Sequence, residues 1–120
     1  MGQPVMRWQI IAKNPERAAD FYCKLFGWSV DANNALGYRQ FDIKSPHGIP
    51  GGMWPAPKDG HAMVQLFVAV EDIAAAVEQA KQLGSQVIIP PQRLPDGDEM
   101  AVILDPENLP LGLCKLKSER

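Results

Sequence analysis

Few side chains in this sequence are equipped for chemistry, and their types narrow what that chemistry is. Arg7 stands two residues from Gln9, and a further glutamine, Gln65, sits in an apolar run. A guanidinium beside amides can hold a carboxylate or phosphate in two-pronged fashion. It can equally pair with an acidic side chain of its own protein. His47 and His61 each lie next to a glycine in different loop-like stretches, and either is a candidate general base. No carboxylate pattern joins them, and loop histidines are more often simply solvated. Cys114 becomes a nucleophile only beside a base or a positive charge and is otherwise a small core residue; Cys23, inside a helical stretch, reads as packing. "PHGIPGG" lacks the Gly-Lys-Ser/Thr ending that cradles phosphate.

The composition removes several function classes. The formal net charge is −2 and there is no basic run, which argues against a dedicated nucleic-acid binder. The apolar runs fall far short of the roughly 20 residues of a membrane helix. "MGQPVMRWQI" lacks a basic segment followed by an apolar core, and Met6 stands where a myristoylation signal needs Ser or Thr. Two cysteines make no disulfide framework. The expectation is one cytoplasmic domain with reduced thiols, spanning 1–120 and free of nucleic-acid and membrane partners.

The elements that must position these residues follow from pattern. In "NPERAADFYCKLFGW", Asn14 is a helix N-cap, Pro15 suits the first helical position and Gly27 is a stop. Ala18, Phe21, Tyr22 and Leu25 recur at helical spacing and predict its apolar face. "VMRWQIIA" before it reads as a strand. The plan then repeats. "MVQLFVAV" is a strand, Asp72 caps a helix with Ile73, Val77, Ala80 and Leu83 on one side, and Gly84 ends it. The two caps lie about 58 residues apart and the two glycines about 57. Three β-type runs follow each helix: "WSV", "GYRQFDI" and "GIPGGMW", then "QVII", "EMAVIL" and "LGLCKL". "DANNALG", "KSPHG" and "PQRLPDGD" read as loops, and "WPAPKDGHA" as the linker between halves. The expected fold class is α+β, with two βαβββ modules at about 4–56 and 61–117; a ferredoxin-like α+β domain is the runner-up.

That double plan, together with "NPERAADFYCKLFGW", "ILDPENLPLGL" and "GIPGGMWPAP", resembles the vicinal oxygen chelate superfamily. Its members include glyoxalase I, bleomycin-resistance proteins, fosfomycin-resistance proteins and extradiol dioxygenases. The resemblance covers nearly the whole chain and implies two curved mixed sheets forming an open cup around a ligand. Metal-binding members take ligands from the first and last strands of each half. By position, those places fall at Arg7 and Gln65, each seven residues before its cap, at Gly112, seven beyond Asp105, and near Met53 and Trp54. No Asp or Glu occurs from Ile43 to Lys58. A divalent ion needs converging nitrogen, thiolate or carboxylate ligands. Arg7 repels a cation, Gly112 has no side chain, and one amide oxygen from Gln65 is not a site. The resemblance therefore implies the scaffold without the metal and without another cofactor.

Strand parity sorts what remains. Arg7 and Gln9 share a face opposite Trp8 and Ile10; Gln65 and Phe67 oppose Leu66, Val68 and Val70; Gly112 and Cys114 oppose Leu111 and Leu113. With the apolar sets under the helices, the expected lining is Arg7, Gln9, Gln65, Phe67, Gly112 and Cys114, with Trp54 or Met53 near the rim. Apolar walls with a few polar groups suit a small organic ligand, an anion in particular. The plainer alternative is a solvated or dimer-covered sheet face. Three functions compete: a metal-independent binding protein; a lyase, isomerase or dioxygenase-type enzyme with an atypical site; and an interaction module whose cup a partner chain fills. A homodimer is expected to cover strand edges and the "GGMW" flank.

Overall fold

The computed structural model describes residues 2–33, 37–94 and 97–115. The loop readings of Asn34, Ala35, Leu36, Pro95 and Asp96, and the strand reading of Leu116, lie outside the described residues. The order of elements is β1 (Val5–Ala12), α1 (Pro15–Phe26), β2 (Ser29–Asp31), β3 (Arg39–Asp42), β4 (Gly51–Pro55), β5 (Met63–Ala69), α2 (Ile73–Gln82), β6 (Val87–Arg93), β7 (Glu99–Leu104) and β8 (Pro110–Lys115). This is the βαβββ plan twice over, and the eight strands among the described residues exceed what a ferredoxin-like domain holds. The chain divides into two compact units. One is Arg7–Gln65; the other runs from Leu66 onward and includes the residues ahead of Arg7.

In the first unit β1 pairs parallel with β4, β4 antiparallel with β3, and β3 antiparallel with β2. Its helix starts as the sequence predicts. Asn14 Oδ1 accepts from the Arg17 N–H at 3.1 Å, Pro15 needs no partner there, and Gly27 takes φ +75° at the C-terminus. The side that α1 buries overlaps the predicted one only at Ala18 and Tyr22. Ala19, Ala18, Tyr22 and Cys23 pack on Trp8, Phe41, Met53 and Trp28, while Phe21 is 58% and Leu25 59% exposed. Small residues let the helix lie close to the sheet, and the larger apolar pair is left on its flank. Trp8 anchors this layer. It sits 5.4 Å from the Trp28 ring and 5.8 Å from Phe41, and its Nε1 donates to the Ile49 carbonyl at 2.7 Å. The indole lies across Gly51, whose place a Cβ could not share.

In the second unit β5 pairs parallel with β8, β8 antiparallel with β7, and β7 antiparallel with β6. Asp72 Oδ1 accepts from the Ala75 N–H at 3.1 Å to start α2. Gly84, at φ +94°, follows the helix, as its role as a stop requires. The buried face carries Ile73 and Val77, against Val70, Ala101 and Leu113. Leu83, expected on that face, is exposed, as is Leu66 on β5. β6 runs on through Pro90, Pro91, Gln92 and Arg93, which the sequence assigns largely to a loop. Among the described residues it pairs only with β7, and its register shifts on either side of Ile89. An edge strand with bulges tolerates residues that cannot donate to a ladder.

The Asp-Pro-Glu-Asn corner sets the β7–β8 hairpin. Asp105 Oδ1 accepts from the N–H groups of Glu107 at 2.7 Å and Leu109 at 3.0 Å, and Asn108 adopts φ +63°. A carboxylate able to take two backbone donors, followed by an asparagine that tolerates the left-handed region, makes a tight turn. The resulting register places Gly112 opposite Val102 and Cys114 opposite Met100.

Because the Trp8 indole occupies the space above Gly51, Gly51→Ala is expected to destabilise the fold by roughly 1–3 kcal/mol through overpacking. Urea denaturation of Gly51→Ala, Trp8→Leu and the double variant checks this. The double variant should lose clearly less than the sum of the single changes.

Candidate functional site

In the first unit, alternation sends Trp8, Ile10 and Ala12 toward α1 and leaves Arg7, Gln9 and Ile11 on the opposite face. The β1–β4 register sets Gln9 beside Gly52 and Ile11 beside Trp54. Met53 therefore turns to the α1 side, where it is fully buried, and only Trp54 of the expected pair shares a face with Gln9. The "GGMW" segment as a whole is not the exposed flank that the sequence suggests: Gly51, Gly52 and Met53 are buried and Trp54 is half-buried.

Tyr38, which the sequence reading does not single out, completes this face. It lies one residue before β3, with the parity of Gln40 and opposite to Phe41. Its hydroxyl lies over Gly52, so that a side chain at position 52 would collide with it. That hydroxyl accepts from Arg7 Nη2 at 3.1 Å, and the ring stands 4.7 Å from Trp54. Arg7 and Tyr38 are both buried. Gln9 is only 1% exposed, and neither its amide nitrogen nor its amide oxygen has a hydrogen-bond partner among the described residues. Burying an amide without partners costs roughly 1–3 kcal/mol. The face thus combines a guanidinium, a phenol, an unbonded amide and an aromatic wall.

The remaining candidates have other surroundings. Gln65 is buried, and its Nε2 donates to Met63 Sδ at 3.4 Å, a weak bond inside its own strand. Phe67 and Cys114 belong to the second unit and are fully buried there; with Met100 and Val102 on the same face, that surface is apolar. Cys114 fits the reading of a small core residue better than that of a nucleophile. Cys23 is half-buried against the first core, and His47 and His61 are exposed.

The places at which the resemblance implies metal ligands do not suit a metal here. Arg7 is a fixed cation engaged with Tyr38, and Gln65 lends one neutral amide. At Gly112 the Phe67 ring lies directly across the backbone, so that a Cβ would fall inside it. The position of the carboxylate is occupied by an aromatic ring as well as lacking a side chain. Among the described residues no three His, Cys, Asp or Glu side chains converge into a ligand set. The donor set does not fit a divalent ion.

The sequence pattern of the Glyoxalase/Bleomycin resistance protein/Dioxygenase superfamily matches residues 5–112, and the chain belongs to that superfamily. Among curated proteins it is 29% identical over 125 residues to "Putative glyoxylase CFP32" of Mycobacterium tuberculosis and of Mycobacterium bovis. That match covers 92% of this chain but 45% of the mycobacterial protein, so the chain spans about half the length of these relatives. Among solved structures, the hypothetical protein BH1468 from Bacillus halodurans superposes with a TM-score of 0.71 at 12% identity, over 100% of this chain and 99% of that one. Methylmalonyl-CoA epimerase from Mycobacterium tuberculosis gives 0.66 at 12% identity, over 96% and 89%. At such identities these likenesses establish the fold.

The ring over Gly112 makes a direct prediction. Gly112→Glu, the change that would restore a carboxylate, is expected to destabilise the chain by roughly 1–3 kcal/mol and to create no metal affinity. Pairing it with Phe67→Ala relieves the collision but opens the core. Thermal melts with and without added zinc check both; a zinc-dependent rise in the single variant would show that Phe67 does not block the position.

Proposed function

We propose that this chain binds a small, flat organic anion without a metal ion, using the face formed by Arg7, Gln9, Tyr38 and Trp54. The observation that carries this reading is the Gln9 amide, buried to 1% exposure with neither end bonded among the described residues. A polar group retained at such a cost, next to a guanidinium and a phenol, is suited to accept and donate to a bound molecule. In this reading Arg7 supplies charge and two-pronged geometry for a carboxylate. Gln9 selects a neighbouring oxygen or hydroxyl, and the Tyr38–Trp54 pair takes the flat part of the molecule. Gly52 keeps the space that Tyr38 needs.

A catalytic reading stands second: a lyase or isomerase of the same superfamily with an atypical site. Its support is the likeness to the mycobacterial putative glyoxylase, about half of whose length this chain matches. Tyr38, bonded to Arg7, is the proton carrier that such a reaction would use on this face. Turnover of an added substrate separates the two readings, since both require binding.

The test is a thermal shift with benzoate and with glyoxylate, because a molecule bound only by the folded state must stabilise it. Gln9→Leu is expected to leave stability unchanged or to raise it by about 1 kcal/mol, since it removes the unbonded amide, while abolishing the ligand-dependent shift. Arg7→Ala should weaken binding by roughly 1.5–3 kcal/mol. No shift with either carboxylate, together with a Gln9→Leu variant markedly less stable than the native chain, would assign the amide a structural role and defeat the proposal.

A further inference from the structure

We infer that the ligand of the Arg7–Gln9–Tyr38–Trp54 face is a planar carboxylate that also carries a lactam, an N–H beside a C=O in one ring; this rests on the reading of that face as an anion site. The Gln9 amide carries the inference. At 1% exposure, neither its Nε2 nor its Oε1 has a hydrogen-bond partner among the described residues. The nitrogen needs an acceptor and the oxygen needs a donor. The two atoms lie side by side in one plane, so the group that satisfies both presents a donor and an acceptor in the same arrangement. A lactam edge does this with two straight bonds, as a glutamine amide does with the donor–acceptor edge of adenine. Exchanging the two ends of the amide leaves the requirement the same, because a lactam edge meets it in either direction.

The surroundings show why the protein does not supply these partners itself. Arg7 and Ile11 flank Gln9 on its face of β1, and Gly52 lies beside it in the β1–β4 ladder. Ile11 has no polar side-chain atom, Gly52 has no side chain, and Arg7 directs Nη2 to the Tyr38 hydroxyl at 3.1 Å. A simple carboxylate satisfies one end of the amide only: its oxygens accept from Nε2, and Oε1 still lacks a donor. A lone hydroxyl reaches both ends only through bent bonds. Arg7 and Gln9 stand two residues apart on one strand, roughly 7 Å along it, so a single ring can set a carboxylate at the first and a lactam edge at the second. The Tyr38 and Trp54 rings, 4.7 Å apart between centres, offer the aromatic wall that such a ring packs against.

Orotate, benzoate and 1,3-dimethylorotate, titrated calorimetrically into the whole chain, test this. Orotate should bind roughly tenfold or more tightly than benzoate, a difference of about 1.4 kcal/mol. 1,3-Dimethylorotate keeps the carboxylate and the ring carbonyls but has no ring N–H, and should bind no more tightly than benzoate. In isotope-labelled chain the Gln9 side-chain carbonyl carbon signal, assigned by its absence from Gln9→Leu, should move downfield with saturating orotate and hold its place with benzoate. Benzoate binding as tightly as orotate, or the dimethyl compound keeping orotate's affinity, would overturn the lactam and leave the anion site standing. So would a Gln9 carbonyl signal indifferent to bound orotate. Binding of none of the three would overturn the anion site and the lactam together.

Discussion

Aromatic rings lying across sheet glycines are the constraint on which the rest of this structure depends. Trp8 covers Gly51, Tyr38 covers Gly52 and Phe67 covers Gly112. A ring flat on the backbone gains close contact that any Cβ would forbid, and it fixes which way the neighbouring side chains can turn. Trp8 on Gly51 seals the layer beneath α1. Tyr38 on Gly52, on the other side of the same strand, brings a hydroxyl to Arg7. Phe67 on Gly112 closes the position at which the family resemblance implies a carboxylate. The two consecutive glycines of β4 thus serve two opposite faces, as strand alternation demands.

Much of this was legible in the sequence, and the failures have physical causes. Both helix starts could be read because Asn14 and Asp72 satisfy first-turn N–H groups, a local interaction. The β7–β8 corner could be read because Asp105 and Asn108 act within five residues. The buried side of α1 could be read only in part, at Ala18 and Tyr22. Periodicity weights large apolar residues, so it selected Phe21 and Leu25, whereas close helix–sheet approach selects small ones such as Ala19. Extension of β6 through two prolines was hidden because a proline pair normally marks a loop, and only an edge position permits it.

The candidate site divides along the same line. Strand parity sets Arg7 and Gln9 on one face, and separates Phe67 and Cys114 from Leu113. It left Met53 open as an alternative to Trp54; the pairing of Ile10 with Met53 sends that side chain under α1. Tyr38 escaped notice because it precedes a four-residue strand and meets Arg7 from 31 residues away. Parity carried two residues back from Gln40, toward a glycine doublet able to seat a ring, finds it. The polar face that results belongs to a superfamily member in which the places where the resemblance implies metal ligands hold a guanidinium, a neutral amide and a phenyl ring.

Metal content measures this account most directly. Elemental analysis of the chain purified without chelator should find far less than one equivalent of Zn, Fe, Ni or Mn, and benzoate binding should be indifferent to chelation. One equivalent of any of these per chain, lost together with ligand binding when a chelator is added, would contradict it.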